Sequence, residues 1–475
     1  MENLTKIGYS EAMAFSSRLL PRLTLSLGLC LAVGGSAWAA PQPAPTLPPG
    51  PKWSWHLTNQ DSQDWLLSPQ SAVPGGQTLT TLTLEGHQTL WHWQGSLLVG
   101  AGKDSQDFFS PNPWVFADLT ALFVSYSQPL NLWGKATFMA TGGRIPVQIP
   151  HLFDQPLDGV GLSYAQDNWV FHLNAGWNGW LSKRVSRMDL SAADQADRLN
   201  PSVWFASPRA VFSAWEDFHS APDSGVSLGL LWEQDFRTSW PGISLAGDIL
   251  TDGTGDYSAK YAWVNWQNTA ILPFEVYGVW ELGTTVLYNL NDARYEYYPV
   301  QAWSGGGALG PSYHRGVRLR LVFQVSSGDG AQRQGFAEGS ATSDNVTHLY
   351  QPPDQQLFSP AFAADAGNLQ WYGLKLDLLG SQLAHLPLNG TFEWRALWRS
   401  QFGPVGYPLN SVGNLNATDL FLGWSWDHTV TWTGFKGWTL AWNLSLAVPN
   451  SSPSGYWLGA PTWQIDTGLS AQWDY

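Results

Sequence analysis

Hydrophobic and polar residues alternate with a period of two over most of the chain. In the segment Gln464–Tyr475, Ile465, Thr467, Leu469, Ala471, Trp473 and Tyr475 fall on one face, and Gln464, Asp466, Gly468, Ser470, Gln472 and Asp474 on the other. Successive side chains of a strand point to opposite sides of a sheet, so this pattern predicts a strand with one greasy and one wet face. The same alternation recurs at Asp158–Ala165, where Val160, Leu162 and Tyr164 oppose Gly159, Gly161 and Ser163. It recurs at Val317–Val325, Tyr372–Leu378, Phe392–Arg399, Leu420–Asp427 and Trp438–Leu446. Asp252-Gly253-Thr254-Gly255 is a hairpin-turn signal between two further runs, Ile243–Leu250 and Tyr257–Gln267. Helical periodicity is nearly absent, the best stretch being Ala192–Leu199. The pattern predicts an all-β transmembrane antiparallel β-barrel of about 16 to 18 strands, 18 favoured, with long extracellular loops. Three long connections stand out, Leu181–Ser224, Asn289–Arg315 and Ser326–Asn368, one of which is expected to fold inward and narrow the pore.

Charge placement sharpens the picture. Lys135, His172, Glu233, Arg318, Arg320, Lys375, Asp377, Glu393, Arg395, Arg399, Asp427 and Asp466 all fall on the polar side of their strands. A Lys or Arg facing lipid at the bilayer midplane costs about 2–4 kcal/mol, so a barrel turns such residues toward its lumen. A soluble sandwich would also separate charge from apolar residues, but its core would be mainly Val, Ile and Leu. The stripes Trp424/Trp426 and Trp438/Trp442 are bulky for a close-packed interior and suit an aromatic girdle at a membrane interface.

Composition agrees. Charged residues make up 13 % of the chain, against about 25 % in soluble domains, while aromatics reach 14 % and Trp numbers 30. Mean hydropathy is nevertheless −0.17, as expected when one face is lipid-like and the other wet. No stretch after the N-terminal region approaches the roughly 18 consecutive apolar residues of a membrane helix. The 23 basic and 37 acidic residues argue against nucleic acid as a partner. At the N-terminus, Arg18 and Arg22 precede the apolar run Leu23–Val33, and Ala37-Trp38-Ala39 forms a small-x-small site. This predicts a secretory signal peptide over residues 1–39, and hence a mature chain without the single Cys30 and without disulfides. Residues 40–77 read as a Pro-rich linker (PQPAPTLPPGP) followed by an irregular N-terminal segment, and residues 78–475 as the barrel.

Catalytic and cofactor signals are missing. The chain has no Gly-x-Ser-x-Gly elbow, His-Glu-x-x-His, phosphate-binding loop or Cys/His metal spacing. The expectation is therefore no enzyme, no cofactor and no metal. The residues left to set selectivity are the lumen charges Lys135, Arg144, Glu233, Arg318, Arg320, Lys375, Asp377, Glu393, Arg395, Arg399 and Asp427.

The stretch Gly142-Gly143-Arg144-Ile145-Pro146-Val147-Gln148, followed by Phe153-Asp154 and Asp158-Gly159-Val160-Gly161-Leu162, resembles the alginate-export-type family of outer-membrane barrels. In that family a strand ending in Gly-Arg is followed by a loop and an Asp-Gly-Val-x-Leu strand. The resemblance covers about 40 residues, and the matching positions are Arg144, Asp158 and Gly159. It implies an 18-stranded monomeric barrel whose arginine-lined lumen passes anionic polysaccharide. This chain departs from that pattern in being acidic overall and in mixing Lys and Arg with Glu and Asp on its predicted inner face.

Together these features lead to an integral protein of the bacterial outer membrane, in contact with its lipid. The expected role is a porin-like channel for hydrophilic solutes or anionic saccharides. The alternative is a surface structural or adhesive barrel that binds a partner through its long loops. The closing strand Gln464–Tyr475 resembles the C-terminal signal read by the barrel-assembly machinery, which is thereby an expected partner. The face assignment is testable: Leu444→Arg should impair membrane assembly far more than Asn443→Arg, by the ~2–4 kcal/mol of a lipid-facing cation. Equal yields of folded protein in outer-membrane fractions would reject the assigned faces.

Overall fold

The computed structural model describes residues 52–68, 71–88, 90–103, 114–130, 136–183, 185–188, 202–221, 224–236, 258–269, 273–289, 294–311, 313–328, 346–354, 366–402, 405, 417–456 and 463–474. Eighteen strands follow in order: β1 Lys52–Ser68, β2 Ser71–Gln88, β3 Trp91–Lys103, β4 Trp114–Leu130, β5 Ala136–Ile149, β6 Phe153–Gln166, β7 Trp169–Trp177, β8 Arg209–Ala221 and β9 Ser224–Asp235. The second half comprises β10 Ser258–Asn268, β11 Phe274–Asn289, β12 Arg294–Leu309, β13 Val317–Ser326, β14 Leu369–Leu379, β15 Leu388–Arg399, β16 Phe421–Trp432, β17 Trp438–Pro449 and β18 Gln464–Asp474. One helical turn, Gly380–Leu383, sits between β14 and β15.

Each strand pairs antiparallel with its sequence neighbours, and β18 pairs with β1 from Thr58↔Asp474 to Leu67↔Ile465, so the sheet closes on itself. The alternating strands of the sequence thus form one 18-stranded barrel. Connections alternate in length around it. Gln166 to Trp169, Ala221 to Ser224 and Trp432 to Trp438 are short, whereas Trp177 to Arg209, Ser326 to Leu369 and Arg399 to Phe421 are long and leave from the opposite rim.

The outer face is apolar: Trp55, Leu84, Leu230, Trp280, Leu321 and Leu469 are 48–64 % exposed. Ring pairs cluster toward both rims. Trp91–Tyr126, Trp266–Phe274 and Trp438–Trp473 lie near the short turns, and Trp177–Phe236 and Trp398–Phe421 near the long loops. Two belts of this kind flanking an apolar band are the outer surface that a bilayer requires.

Four expectations differ from the structure. Strand β1 occupies the stretch read as irregular, because its backbone pairs on both sides, with β2 and β18. Two of the three supposed long connections hold strands, β8 in the first and β12 in the second. Leu422 was assigned outward beside Trp424 but is fully buried with Leu369, Leu397 and Tyr456. There the register slips between Leu397 and Trp398, and Gly423 has φ +140°. The run Ile243–Leu250 and Lys135 lie outside the described residues.

A second backbone switch bends the wall itself. Gly143 has φ +121°, a conformation closed to residues with a Cβ, and a Cβ there would lie 2.1 Å from the Leu122 carbonyl oxygen. It stands in register with Gly159 and Gly176. We expect Gly143→Ala to destabilise the folded barrel by about 1–3 kcal/mol in denaturant titrations in lipid. Gly142→Ala, where an added Cβ meets nothing within 4 Å, should be close to silent; a larger loss at Gly142 would contradict the bend.

Candidate functional site

Beyond Gly143 the β5–β6 hairpin leaves the wall. Pairing with β4 stops at Arg144 and pairing with β7 stops at Asp158, while β5 and β6 continue to pair with each other from Ile145↔Leu157 to Ile149↔Phe153. The freed hairpin is amphipathic. Ile145, Val147, Ile149, Phe153 and Leu157 are buried against Val211, Leu231, Tyr261, Val279 and Val300, the inner faces of β8 to β12. Pro146 and Gln148 remain exposed on its other face. At the tip, His151 Nε2 lies 2.7 Å from Glu275 Oε1 on β11, and the two rings of His151 and Tyr277 stack at 4.2 Å. The hairpin therefore turns into the lumen and packs on the inner faces of β8 to β12, with its tip at β11.

Arg144 pins the bend. Its Nε and Nη2 donate to both oxygens of Asp158 at 2.7 and 2.8 Å, and Nη1 donates to Asp118 Oδ1 at 2.7 Å and to the Leu119 carbonyl. Nη2 also donates to the Trp180 carbonyl at 3.1 Å. The resemblance motif Gly143-Arg144…Asp158-Gly159 thus forms a bidentate clasp, which fixes geometry as well as energy.

Two long connections fold inward onto the hairpin. From the β7–β8 connection, Val185 packs on Leu79, Leu98 and Phe116, and the Arg187 N–H donates to Gln155 Oε1 at 3.1 Å. From the β13–β14 connection, Gln351 N–H donates to Glu281 Oε2, Tyr261 OH donates to the Gln351 carbonyl, and Thr347 bridges Val300. The three inward pieces meet at Asp354. Its Oδ2 accepts the Asp154 N–H at 2.8 Å and lies 3.7 Å from Arg187 Nη1. The sequence indicated one inward loop; among the described residues two long connections meet the hairpin, whose own short turn carried no such signal.

The filling is one-sided. Inner residues of β8 to β12, such as Val211, Tyr261 and Val279, are 0–2 % exposed. On β13 to β16 the inner face is polar and carries most of the charges singled out from the sequence, with Asp377, Glu393 and Arg395 largely buried in their ion pairs. Arg318 and Arg320 both reach Asp377 Oδ2 at 2.9 Å, and Arg318 also lies 4.4 Å over the Tyr313 ring. Lys375 Nζ is 3.6 Å from Glu393 Oε2, Arg395 Nε donates to Glu393 Oε1 at 2.7 Å, and Arg395 Nη1 donates to Asp427. Arg395 also lies 5.2 Å over the Trp371 ring. Direct cross-strand register supplies the pairs Arg318↔Asp377 and Lys375↔Glu393, whereas the like charges Glu393 and Asp427 stand opposite each other and are bridged by Arg395. Four cations and three carboxylates line this strip, and Glu275 of β11 lies close enough to act electrostatically on Arg320 and Lys375.

Other sequence candidates lie elsewhere. Arg399 is fully buried; it donates to the carbonyls of Phe402, Ala417 and Asp419 and lies 4.7 Å from the Tyr456 ring, tying the β15–β16 connection to the wall. Glu233 is fully buried under the hairpin's side of the barrel. Arg144 is committed to the clasp. Two clusters escaped the sequence reading because their members come from different strands. Ser163 Oγ is 2.9 Å from His172 Nδ1, and His172 Nε2 is 3.4 Å from Asp217. These are the residue types of a hydrolytic triad, but the neighbouring backbone N–H groups of β6 to β8 are held in the strand ladder and cannot form an oxyanion hole. The other is Glu85, His87 and His92, on the inner face near the short-turn rim.

Asp354 provides a pH test of the inward assembly. Burial pushes its carboxyl from 3.8 up to about 7, against the opposing pull of Arg187 and the Asp154 N–H. A carboxyl with a raised docked-state pKa favours docking fully below its free value, and that contribution fades as pH rises through about 7. The change amounts to at most about 4 kcal/mol. Hydrogen exchange of residues 346–354, corrected for intrinsic rate, should therefore be faster at pH 8 than at pH 5, and Asp354→Asn should remove the difference. Slower exchange at pH 8 would overturn the assignment.

No family model matches the sequence, and no curated protein does. Among solved structures the chain is similar to OccK2 (OpdF) of Pseudomonas aeruginosa in complex with glucuronate, with TM-score 0.53, 12 % identity, and coverage of 89 % of this chain and 97 % of that one. It is similar to the outer membrane protein opdK of P. aeruginosa, with TM-score 0.51, 10 % identity and coverage of 89 % and 99 %. It is also similar to a BenF-like porin from Pseudomonas fluorescens Pf-5, with TM-score 0.53, 11 % identity and coverage of 89 % and 99 %. At these identities the likeness is one of fold: the chain has the barrel architecture of these porins.

Proposed function

We propose that this chain is a porin-like channel of the bacterial outer membrane that passes small hydrophilic solutes, anionic saccharides among them. The observation that carries the reading is the one-sided lumen. The hairpin and the β13–β14 connection cover the β8–β12 side with apolar packing, while the β13–β16 side carries a strip of paired charges. Selectivity then comes from a narrow aperture and the charge along its wall, without chemistry. The route runs past Arg318, Arg320, Lys375, Asp377, Glu393, Arg395 and Asp427. One barrel alike in fold was solved in complex with glucuronate, and a single sugar acid suits the row Arg318, Arg320, Lys375 and Arg395 and the narrowing. A polymer such as alginate, implied by the local resemblance around Arg144, would have to thread past the hairpin tip at His151, so small solutes are the favoured cargo. The described parts of two long connections point into the lumen, which disfavours the adhesive reading. Residues 1–39 act as the export signal and the closing strand Gln464–Tyr475 as the assembly signal in this proposal.

Planar-bilayer recordings of the purified barrel test it. We expect discrete conductance steps and a reversal potential on the anion side in a KCl gradient. Replacing Arg318 and Arg320 together with Ala removes two of four cations and should move that potential toward cation preference. A folded barrel that gives no conductance at any voltage or salt would sink the proposal.

A further inference from the structure

Outside the proposed route, Glu85, His87 and His92 converge near the barrel's short-turn mouth. Glu85 and His87 are two residues apart on β2 and therefore share a face. His92 on β3 is the direct cross-strand partner of His87. The two imidazoles stack at 4.3 Å with planes 3° apart, so their edges point the same way. Both Nε2 atoms are directed at a single atom, Glu85 Oε1, at 2.9 Å from His87 and 3.0 Å from His92. Phe123 packs edge-on against His92 at 5.6 Å and limits how that ring can turn. All three side chains keep access to water, with 44 %, 30 % and 28 % exposure for His87, His92 and Glu85.

We propose that this trio is a binding site for a divalent cation of the zinc class. The ligand atoms lie within 4.8 Å of one another. Two ligands on a tetrahedral zinc, each about 2.0–2.1 Å from the metal, are about 3.3 Å apart. The present nitrogen–oxygen separations therefore need only small side-chain shifts to admit the ion. To ligate through Nε2 each neutral imidazole would carry its one proton on Nδ1, and the carboxylate would set one negative charge against the ion's two. Two imidazoles and one carboxylate select zinc, copper or nickel over magnesium and calcium, which prefer all-oxygen sites. The remaining coordination position faces the lumen and would hold water. The inference rests on these three residues and is independent of whether the barrel conducts.

Calorimetry on the folded, detergent-solubilised full chain, stripped with chelator and titrated with ZnCl2, tests it directly. One zinc per barrel is expected, with no comparable heat from MgCl2. His92→Gln should weaken binding by at least ~tenfold, because even outer-shell changes at metal sites cost that much. The double variant His87→Gln/His92→Gln should abolish the site, with heat-modifiable gel migration confirming that the barrel remains folded. X-ray absorption at the zinc edge of the wild-type protein supplies a readout that requires no variant, and two imidazole nitrogens are expected there. No zinc binding by the wild type, equal binding by a folded double variant, or a spectrum without imidazole would each overturn the proposal.

Discussion

Everything in this molecule depends on a closed backbone ladder. In hydrocarbon an unpaired peptide N–H or C=O costs several kcal/mol, so a spanning sheet cannot keep an edge. Ten registered pairs between β1 and β18 remove the last two edges. Once closure is imposed, side chains have only two places to go, lipid or lumen, and period-two alternation follows as a geometric necessity. The aromatic belts and the charge ladder are two results of that one partition.

Closure also creates an interior problem. A ring of 18 strands leaves a wide lumen, and this chain fills part of it with its own wall. Gly143 lets β5 turn off the sheet, Arg144 and Asp158 clasp the bend, and the released hairpin carries a dry face that the inner walls of β8 to β12 can bury. The cost is that two strands stop pairing with their outer neighbours; apolar burial of Ile145, Val147, Ile149, Phe153 and Leu157 offsets it. A hairpin built from wall strands is more rigid than a loop, since its own ladder persists to the turn at His151.

This explains which parts of the fold were legible in the sequence. Where the inner face is polar, as along β13 to β18, it contrasts with an apolar outer face, and strands such as Val317–Ser326 and Gln464–Asp474 stand out. In two strands on the packed side, β8 and β12, apolar residues on both faces blur that contrast. In β8, Val211 and Trp215 point at the hairpin while Phe212 and Phe218 face outward, and in β12 Val300 and Ala302 oppose Trp303. Both strands were consequently read as connection. The charge ladder was legible residue by residue because alternation alone assigns its face. The roles of Arg144 and Arg399 were not, because Arg144 also binds Asp118 and the Trp180 carbonyl and Arg399 the Ala417 and Asp419 carbonyls, which no local pattern brings near. The His87–His92 pair was hidden for a related reason: a cross-strand cluster has no fixed spacing until the turn between its strands is known.

The net charge of the chain, −14, is a poor guide to the field inside it. Fields in a narrow passage are set by charges within about a Debye length, roughly 8–10 Å at physiological salt. Along β13 to β16 four cations meet Asp377, Glu393 and Asp427, each shared or opposed by a guanidinium or ammonium, and Glu275 of β11 acts on Arg320 and Lys375 from beside the strip. Pairing holds the long side chains against the wall, where stacking on Tyr313 and Trp371 also fixes two of the guanidinium planes. An unpaired arginine row would carry a stronger field, but its side chains would swing through the aperture and repel one another. The paired ladder exchanges field strength for side chains held at fixed positions along the wall.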